Sequence, residues 1–380
     1  MVMPKYKIVH LITSLKVGGA ETVLYDLVRK LDTNLFDNYV IYFHDGPNVT
    51  RLNKCGIKTF QIKGLICKYD PIFLFRLFKL IRKIKPDCIH SSLWSANVLG
   101  IIIARLIKVP IACALHLATN FESTGTNSFF RTSIDKIILP LANRIIAVSN
   151  DMVNDLKNLN WFPFNKLQVI SNGIDINYIK QQAQISSYNR STYKIKDDCF
   201  VIGTVGRFIP RKNQQLLIES FALLSKTCAN IHLFLIGYGP LEDQLKLKVN
   251  ALNIGDKVTF LKTDQAYGFY PLFDCFVLTS DNESFGLVTL EAMVFSLPCV
   301  VTNYNLNHQI ITNGVDGYVV KPGESVSLYN KLKELYNNRN TCADLGLKAE
   351  QKVLSSFNLN VTVSNYSQLF EKLILENSKR

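Results

Sequence analysis

Short apolar runs alternate with segments of helical periodicity along most of this chain, and that alternation constrains its fold more tightly than any single motif. Runs at Lys7–Thr13, Tyr39–His44, Cys88–Ser91, Ile111–His116, Arg144–Ser149 and Leu167–Ser171 read as strands. Helical segments separate most of them, so neighbouring strands need crossovers, which implies a parallel sheet of βα units. The polar stretch 172–198, with a turn signal at Asn172-Gly173, interrupts the pattern and marks a domain boundary. A second series follows at Phe200–Val205, Ile231–Ile236, Val258–Leu261, Asp274–Leu278, Cys299–Thr302 and Gly317–Val320, and a last helix spans about Val361–Leu375. A length of 380 residues suits two domains. The expected class is α/β, as two doubly wound halves with a ligand cleft between them.

The stretch richest in chemistry is Thr279–Met293, TSDNESFGLVTLEAM. An apolar strand, Asp274–Leu278, enters it and a helical segment, Gly286–Phe295, leaves it. Glu283 falls in the turn and Glu291, eight positions on, in the second helical turn, so the two carboxylates differ in depth and in role. The first N–H groups of the helix, near Phe285, Gly286 and Leu287, lie at the positive end of its dipole. Together with carboxylates that accept hydrogen bonds from hydroxyls, they suit a polyhydroxylated or phosphorylated ligand at the carboxyl edge of a sheet. Taken alone, the same pair also fits a loop acid and a solvated helix charge.

Other strand ends carry weaker signals. Leu15-Lys16-Val17-Gly18-Gly19 leads into a helix, Ala20–Leu31, and its glycines let backbone approach a ligand. The third glycine of GxGxxG is absent, so a dinucleotide fingerprint is not supported. His116 and Ser149 each end a strand. After strand Phe200–Val205 comes Gly206-Arg207-Phe208-Ile209-Pro210-Arg211-Lys212, where Arg207 and Lys212 could neutralise a diphosphate without a metal. The chain has no DxD element and no spaced His/Cys cluster, so no metal site is expected. It also lacks GxSxG and GxxxxGK[ST], which removes the best support for a hydrolase or a P-loop NTPase.

Forty-three Lys and Arg against thirty Asp and Glu give a net charge of +13, which suits an anionic partner. The basic residues are scattered and lack an aromatic stacking motif, so no nucleic acid is expected. Asp70-Pro71 opens a helix over Ile72–Ile84 in which Phe73, Phe75, Leu77, Phe78 and Ile81 interleave with Arg76, Lys79, Arg82 and Lys83. It reads as a core-packing helix with a solvated basic face, or as a contact with an anionic membrane surface. Nine cysteines, at 55, 67, 88, 113, 199, 228, 275, 299 and 342, form no CxxC pair and read as free thiols in a reducing cytoplasm. Neither a signal peptide nor a membrane span is expected, so the protein should be soluble or peripheral.

The ordered set of motifs is more specific than its parts: GGAE at 18–21, VSN at 148–150, NGID at 172–175, VGRF at 205–208 with Lys212, IGYGP at 236–240, and Glu283-Ser284-Phe285-Gly286-Leu287 with Glu291. It resembles the family 4 retaining glycosyltransferases of the GT-B fold, two Rossmann-like doubly wound domains facing each other across a cleft. The resemblance covers nearly the whole chain. It implies an acceptor domain at 1–175, a nucleotide-sugar domain at 176–357 and a C-terminal helix, 358–380, crossing back to the first domain. The implied donor is a UDP- or GDP-sugar and the implied acceptor a saccharide or lipid-linked molecule, with no metal or other cofactor. The implied setting is surface polysaccharide, lipopolysaccharide or capsule assembly in the cytoplasm, on the inner face of the membrane.

By the same resemblance, Arg207 and Lys212 look like the diphosphate-binding pair and Gly19 like the backbone that approaches the distal phosphate. Glu291 is similar to the ribose-binding acid, Glu283 with the amides of Phe285, Gly286 and Leu287 to the donor-sugar cradle, and His116 to the sugar-contacting histidine. Arg207, Lys212, Glu283 and His116 form the expected catalytic set; no nucleophile is expected, the leaving phosphate itself taking the acceptor's proton. The chain departs from the family pattern at Ser296 and Lys262, where glycines are usual, and at Gln309, where an acid is usual. A catalytically degenerate nucleotide-sugar-binding or scaffold protein of the same fold is the alternative, and Gln309 is the departure in its favour.

Overall fold

The computed structural model describes residues 5–16, 18–64, 71–116, 126–186, 188–263, 266–281, 283, 285–303 and 309–379, the side chains of 126–129 excepted. Val17, Cys67, Asp70 at the expected helix start and Ser284 of the acidic turn lie outside the described residues. Contacts divide the chain into two units, Met1–Gly173 with Leu359–Arg380, and Ile174–Asn358.

The first unit alternates β1 (Tyr6–Ser14), α1 (Gly19–Lys30), β2 (Phe36–His44), α2 (Pro47–Lys54), β3 (Lys58–Gln61), α3 (Pro71–Ile84), β4 (Cys88–Ser92), α4 (Trp94–Ile107), β5 (Ile111–Leu115), α5 (Thr126–Ile138), β6 (Arg144–Ala147), α6 (Asn150–Leu156) and β7 (Leu167–Val169). The strands pair in parallel in the order β3-β2-β1-β4-β5-β6-β7. β4 and β5 are buried at every position, as expected of strands with helices on both faces. The expected strand Arg144–Ser149 ends earlier, because Ser149 turns to cap α6 and its Oγ accepts the Met152 N–H at 3.1 Å.

The second unit holds α7 (Ile176–Ile185), β8 (Phe200–Val205), α8 (Gln214–Ser225), β9 (Ile231–Ile236), α9 (Glu242–Ala251), β10 (Val258–Leu261), β11 (Cys275–Leu278), α10 (Leu287–Met293), β12 (Cys299–Thr302), β13 (Gly317–Val320), α11 (Ser325–Asn337) and α12 (Arg339–Ser356). Its parallel sheet has the order β10-β9-β8-β11-β12-β13. The region 172–198, read as polar with few periodic runs and as a domain boundary, contains α7. The Asp175 side chain caps that helix by accepting the Tyr178 N–H, and Ile176, Ile179 and Ala183 are buried. α10 is shorter than the expected Gly286–Phe295. Gly286, at φ +75°, turns the chain into it, and Ser296, at φ +53°, turns it out. The Ser296 hydroxyl donates to Glu350, a local support for the left-handed backbone at a position where glycine was expected.

The last helix, α13 (Leu359–Ser378), belongs to the first unit. Its Tyr366, Leu369, Phe370, Leu373 and Ile374 pack against Ile8, Leu27, Phe36, Cys88, Ala112, Ala114 and Ile146. Thr362 Oγ1 donates to Ser171 O at 2.9 Å. Truncating a fully buried aromatic such as Phe370 costs about 3–5 kcal/mol, so this strip is a substantial part of the unit's core.

Candidate active site

In both sheets the strand order reverses beside the first strand, between β1 and β4 in one unit and between β8 and β11 in the other. Ligands of doubly wound sheets bind outside the carboxyl ends of the strands at this reversal. In the second unit the loops at that point are 206–213 after β8 and 279–286 after β11. Four contacts tie them together. Asp281 N donates to Arg211 O at 2.7 Å, Thr279 Oγ1 to Lys212 O at 3.2 Å and Asn213 Nδ2 to Asp281 Oδ1 at 2.8 Å. The fourth is an ion pair between Lys212 Nζ and Glu283 Oε1, whose side chains are only 12% and 8% exposed.

The pair is supported from below. Ser280 Oγ donates to Glu283 Oε1 at 2.7 Å, and Thr302 Oγ1, at the end of β12, donates to Ser280 O at 2.7 Å. Arg207 is exposed, and its carbonyl is held by Gln214 Nε2 at 3.0 Å, so the guanidinium faces solvent from a fixed backbone. Gly237 closes the loop beneath: any Cβ there would overlap the Gly206 carbonyl oxygen. The amides of Phe285, Gly286 and Leu287 fall at the start of α10, outside that helix's own hydrogen bonds.

Glu291, half-buried on α10, accepts a hydrogen bond from the Tyr270 hydroxyl at 2.7 Å. Tyr270 is fully buried and stacked on Phe295, with ring centroids 5.6 Å apart. Burial, and secondarily the Glu291 charge, hold its hydroxyl well above the ordinary tyrosine range, so Tyr270 remains a donor. Lys262 Nζ lies 5.3 Å from the Tyr238 ring centroid, and Gln309 follows the segment 304–308, which is not described.

Gly19 and His116 belong to the first unit, at the carboxyl edge of its sheet. Gly19 is the exposed first residue of α1, and Glu21, two positions on, folds its carboxylate back towards Gly18. His116, directly after β5, is buried, and its Nε2 has no hydrogen-bond partner among the described residues; burial lowers its pKa to about 4, so the ring is neutral. It borders a cavity of about 40 Å³ shared with Trp94, Asn97 and Asp135. Trp94 Nε1 donates to Asp135 Oδ1 at 3.0 Å, and burial raises the pKa of Asp135 to about 7.

Of the expected residues, therefore, Lys212 and Glu283 touch, while Glu291 is held separately by Tyr270. Sequence reasoning missed Tyr270, Asn213, Thr302 and Asp135. Only Ser280 and Asp281, lying inside the acidic stretch, could have been found by spacing.

The family profile described as "Glycosyltransferase Family 4" matches residues 17–178, and that described as "Glycosyl transferases group 1" matches residues 187–352. The capsular polysaccharide biosynthesis glycosyltransferase CapM of Staphylococcus aureus is 24% identical, across 98% of this chain and 99% of its own. The UDP-Gal:alpha-D-GlcNAc-diphosphoundecaprenol alpha-1,3-galactosyltransferase of Escherichia coli is 26% identical, across 98% of each. The crystal structure of Anabaena Alr3699/HepE in complex with UDP-glucose superposes with a TM-score of 0.82 at 22% identity, covering 96% of this chain and 99% of that one.

Proposed function

The chain belongs to the family 4 glycosyltransferases and has the GT-B fold, and from that premise we propose that it moves a sugar from a nucleotide-sugar donor to a saccharide or lipid-linked acceptor, retaining the anomeric configuration and needing no metal. The observation that carries this reading is the buried Lys212–Glu283 pair at the strand-order reversal, with Arg207 beside it on the same loop. Departure of a nucleoside diphosphate builds negative charge on its phosphates, and a buried lysine with an arginine on the same loop would stabilise that charge most where it grows. Lys212 would then be shared between phosphate and Glu283, while Ser280 keeps Glu283 oriented towards the sugar hydroxyls. Glu291, steadied by Tyr270, is the ribose acceptor in this reading, and neutral His116 a hydrogen-bonding partner for the sugar.

A UDP-sugar is the favoured donor, supported by Alr3699/HepE and by the Escherichia coli galactosyltransferase, whose name includes UDP-Gal. That enzyme and CapM support assembly of a surface polysaccharide or lipid-linked saccharide. No helix among the described residues is long and apolar enough to cross a membrane. α3 buries Phe73, Leu77 and Ile81 and exposes Ile72, Phe75, Arg76, Lys79, Arg82 and Lys83, which supports peripheral attachment to an anionic cytoplasmic leaflet. A screen of UDP-, GDP- and ADP-sugars for thermal stabilisation and nucleotide release, followed by NMR of the linkage formed, tests the reading. Stabilisation and release with a UDP-sugar, and a retained anomer, are expected. An inverted anomer would refute retention, and donor binding without any turnover would favour a degenerate, purely binding protein.

A further inference from the structure

A second cavity, polar and of about 140 Å³, opens at the opposite edge of the first unit's sheet. It is lined by Arg105, Asn143, Arg144, Lys166, Glu376 and Asn377, with Ala142 and Leu373. Arg105 lies in the last turn of α4, Arg144 opens β6, and Lys166 immediately precedes β7. All three therefore stand at the amino-terminal edge, whereas Gly19 and His116 stand at the carboxyl edge.

The three cations are pinned but not neutralised. Arg105 Nε donates to Leu141 O at 2.7 Å, Arg144 Nη1 to Asn143 O at 2.8 Å, and Lys166 Nζ to Pro140 O and to Ala142 O, the latter at 2.9 Å. Each of these acceptors is an uncharged carbonyl. The one carboxylate in the lining, Glu376, sits 3.6 Å from Arg144 and is 47% exposed, so it offsets little of the charge. Burial first, then repulsion from Arg105 and Arg144, lowers the Lys166 pKa, which is what uncompensated positive charge does to a lysine. Among the described residues the terminal nitrogens of the Arg105 guanidinium have no hydrogen-bond partner, and the fork geometry of guanidinium groups matches tetrahedral oxyanions.

We propose that this cavity is a binding site for a phosphate-type oxyanion, held by Arg105, Arg144 and Lys166 and bounded on one side by α13. Glu376 of α13 faces the same Arg144 and would compete with such an anion. The anion has two sources with the same chemistry, a soluble phosphate ester or a phospholipid headgroup. Leu106, Leu141 and Phe164, each beside or within two residues of a pinned cation or its acceptor, are 63%, 40% and 40% exposed, which gives a headgroup apolar company.

The full-length protein, the double variant Arg105→Gln/Arg144→Gln, and Glu376→Gln are melted in sodium phosphate and in sodium chloride of matched ionic strength. Their sedimentation with phosphatidylglycerol and phosphatidylcholine vesicles is measured alongside. Reading the difference between proteins cancels any phosphate held at the active site. A control, Lys108→Gln/Lys136→Gln, removes two exposed cations outside the cavity, so that general charge loss is kept apart. Wild type should show a saturable phosphate-specific rise in Tm that the double variant loses and the control keeps. Glu376→Gln should tighten binding about two- to fivefold, the worth of a half-exposed ion pair, an effect that a merely destabilised protein would not show. Loss of phosphatidylglycerol sedimentation in the double variant alone, with no phosphate shift in any protein, assigns the site to a lipid headgroup. Equal phosphate shifts and equal sedimentation in all four proteins overturn the proposal.

Discussion

Tyr270 gives its hydroxyl proton to Glu291 Oε2 across 2.7 Å, steadying the acid on α10 from a segment in which no motif stands out. In the proposed reading, a carboxylate so held would accept the ribose hydroxyls without first losing side-chain entropy. Glu291→Ala should raise the donor KM about tenfold with kcat little changed, and Tyr270→Phe about threefold, as expected for loss of one charge-assisted hydrogen bond or its support. Steady-state kinetics with the donor varied decides this. Equal losses of kcat in both would move Glu291 from binding to chemistry.

Arg207→Ala should lower kcat about a hundredfold while leaving the melting temperature near wild type, since the side chain is exposed and, in the proposed reading, acts on developing charge. Lys212→Ala differs, because it also strands Glu283 in a buried site. Breaking one side of a buried pair costs about 3–5 kcal/mol, so this variant should be both inactive and less stable. Adding Glu283→Gln to Lys212→Ala should restore much of the stability and none of the activity. A denaturant melt beside the rate assay separates the two effects.

Transfer should survive exhaustive chelation, because the diphosphate charge is assigned to Arg207 and Lys212. The check is the rate in EDTA against the rate with added manganese or magnesium. Loss in EDTA and recovery with metal would sink the metal-free mechanism.

Stability should fall steeply in mild acid. His10 Nδ1 lies 3.1 Å from His90 Nδ1, and His10 Nε2 lies 3.0 Å from Asn38 Oδ1, all buried beneath Phe370 and Tyr366. Burial lowers His10 to about 4 and His90 well below 6.5; His116 and His232 also fall to about 4. The unfolded chain takes up these protons below about pH 6.5 while the folded chain does not until about pH 4. Full stability is therefore present above about pH 6.5 and is lost as pH falls towards 4. Asp135, raised to about 7, works the other way by one proton, so the net slope remains positive. Urea midpoints at pH 7.5, 6 and 5 should descend, and His10→Gln should flatten the descent.

Membrane attachment through α3 should need anionic lipid and weaken with salt. Each basic side chain near an anionic leaflet contributes about 1 kcal/mol, so charge reversal at Arg76, Lys79 and Lys83 together should abolish sedimentation with vesicles and leave donor binding intact. Unchanged pelleting of that triple variant would reduce α3 to a core helix.

Two parallel sheets were legible in the residues because strand and helix periods are local properties, written over a few consecutive positions. Every strand expected from the apolar runs formed, five with the expected ends and seven with an end shifted by one to three residues, as where Ser149 caps α6 instead of ending a strand, while β3 was not expected. The helix α7 was not legible: its apolar positions, Ile176, Ile179 and Ala183, are too few to show a stripe, and its start depends on the Asp175 cap. Contacts between distant positions are another matter, since nothing local records them. Lys212 meets Glu283 across 71 positions because β8 and β11 pair in parallel and their following loops meet, and His10 meets His90 across 80 because the two face each other in register on β1 and β4. The charged cavity of Arg105, Arg144 and Lys166 has the same origin, a helix end, a strand start and a strand approach arriving at one sheet edge beside a helix from the far end of the chain. By itself the sequence determined that strands and helices would alternate and which loops would carry charge; the tertiary structure decided which of those charges meet, because burial and pairing depend on neighbours that only folding supplies.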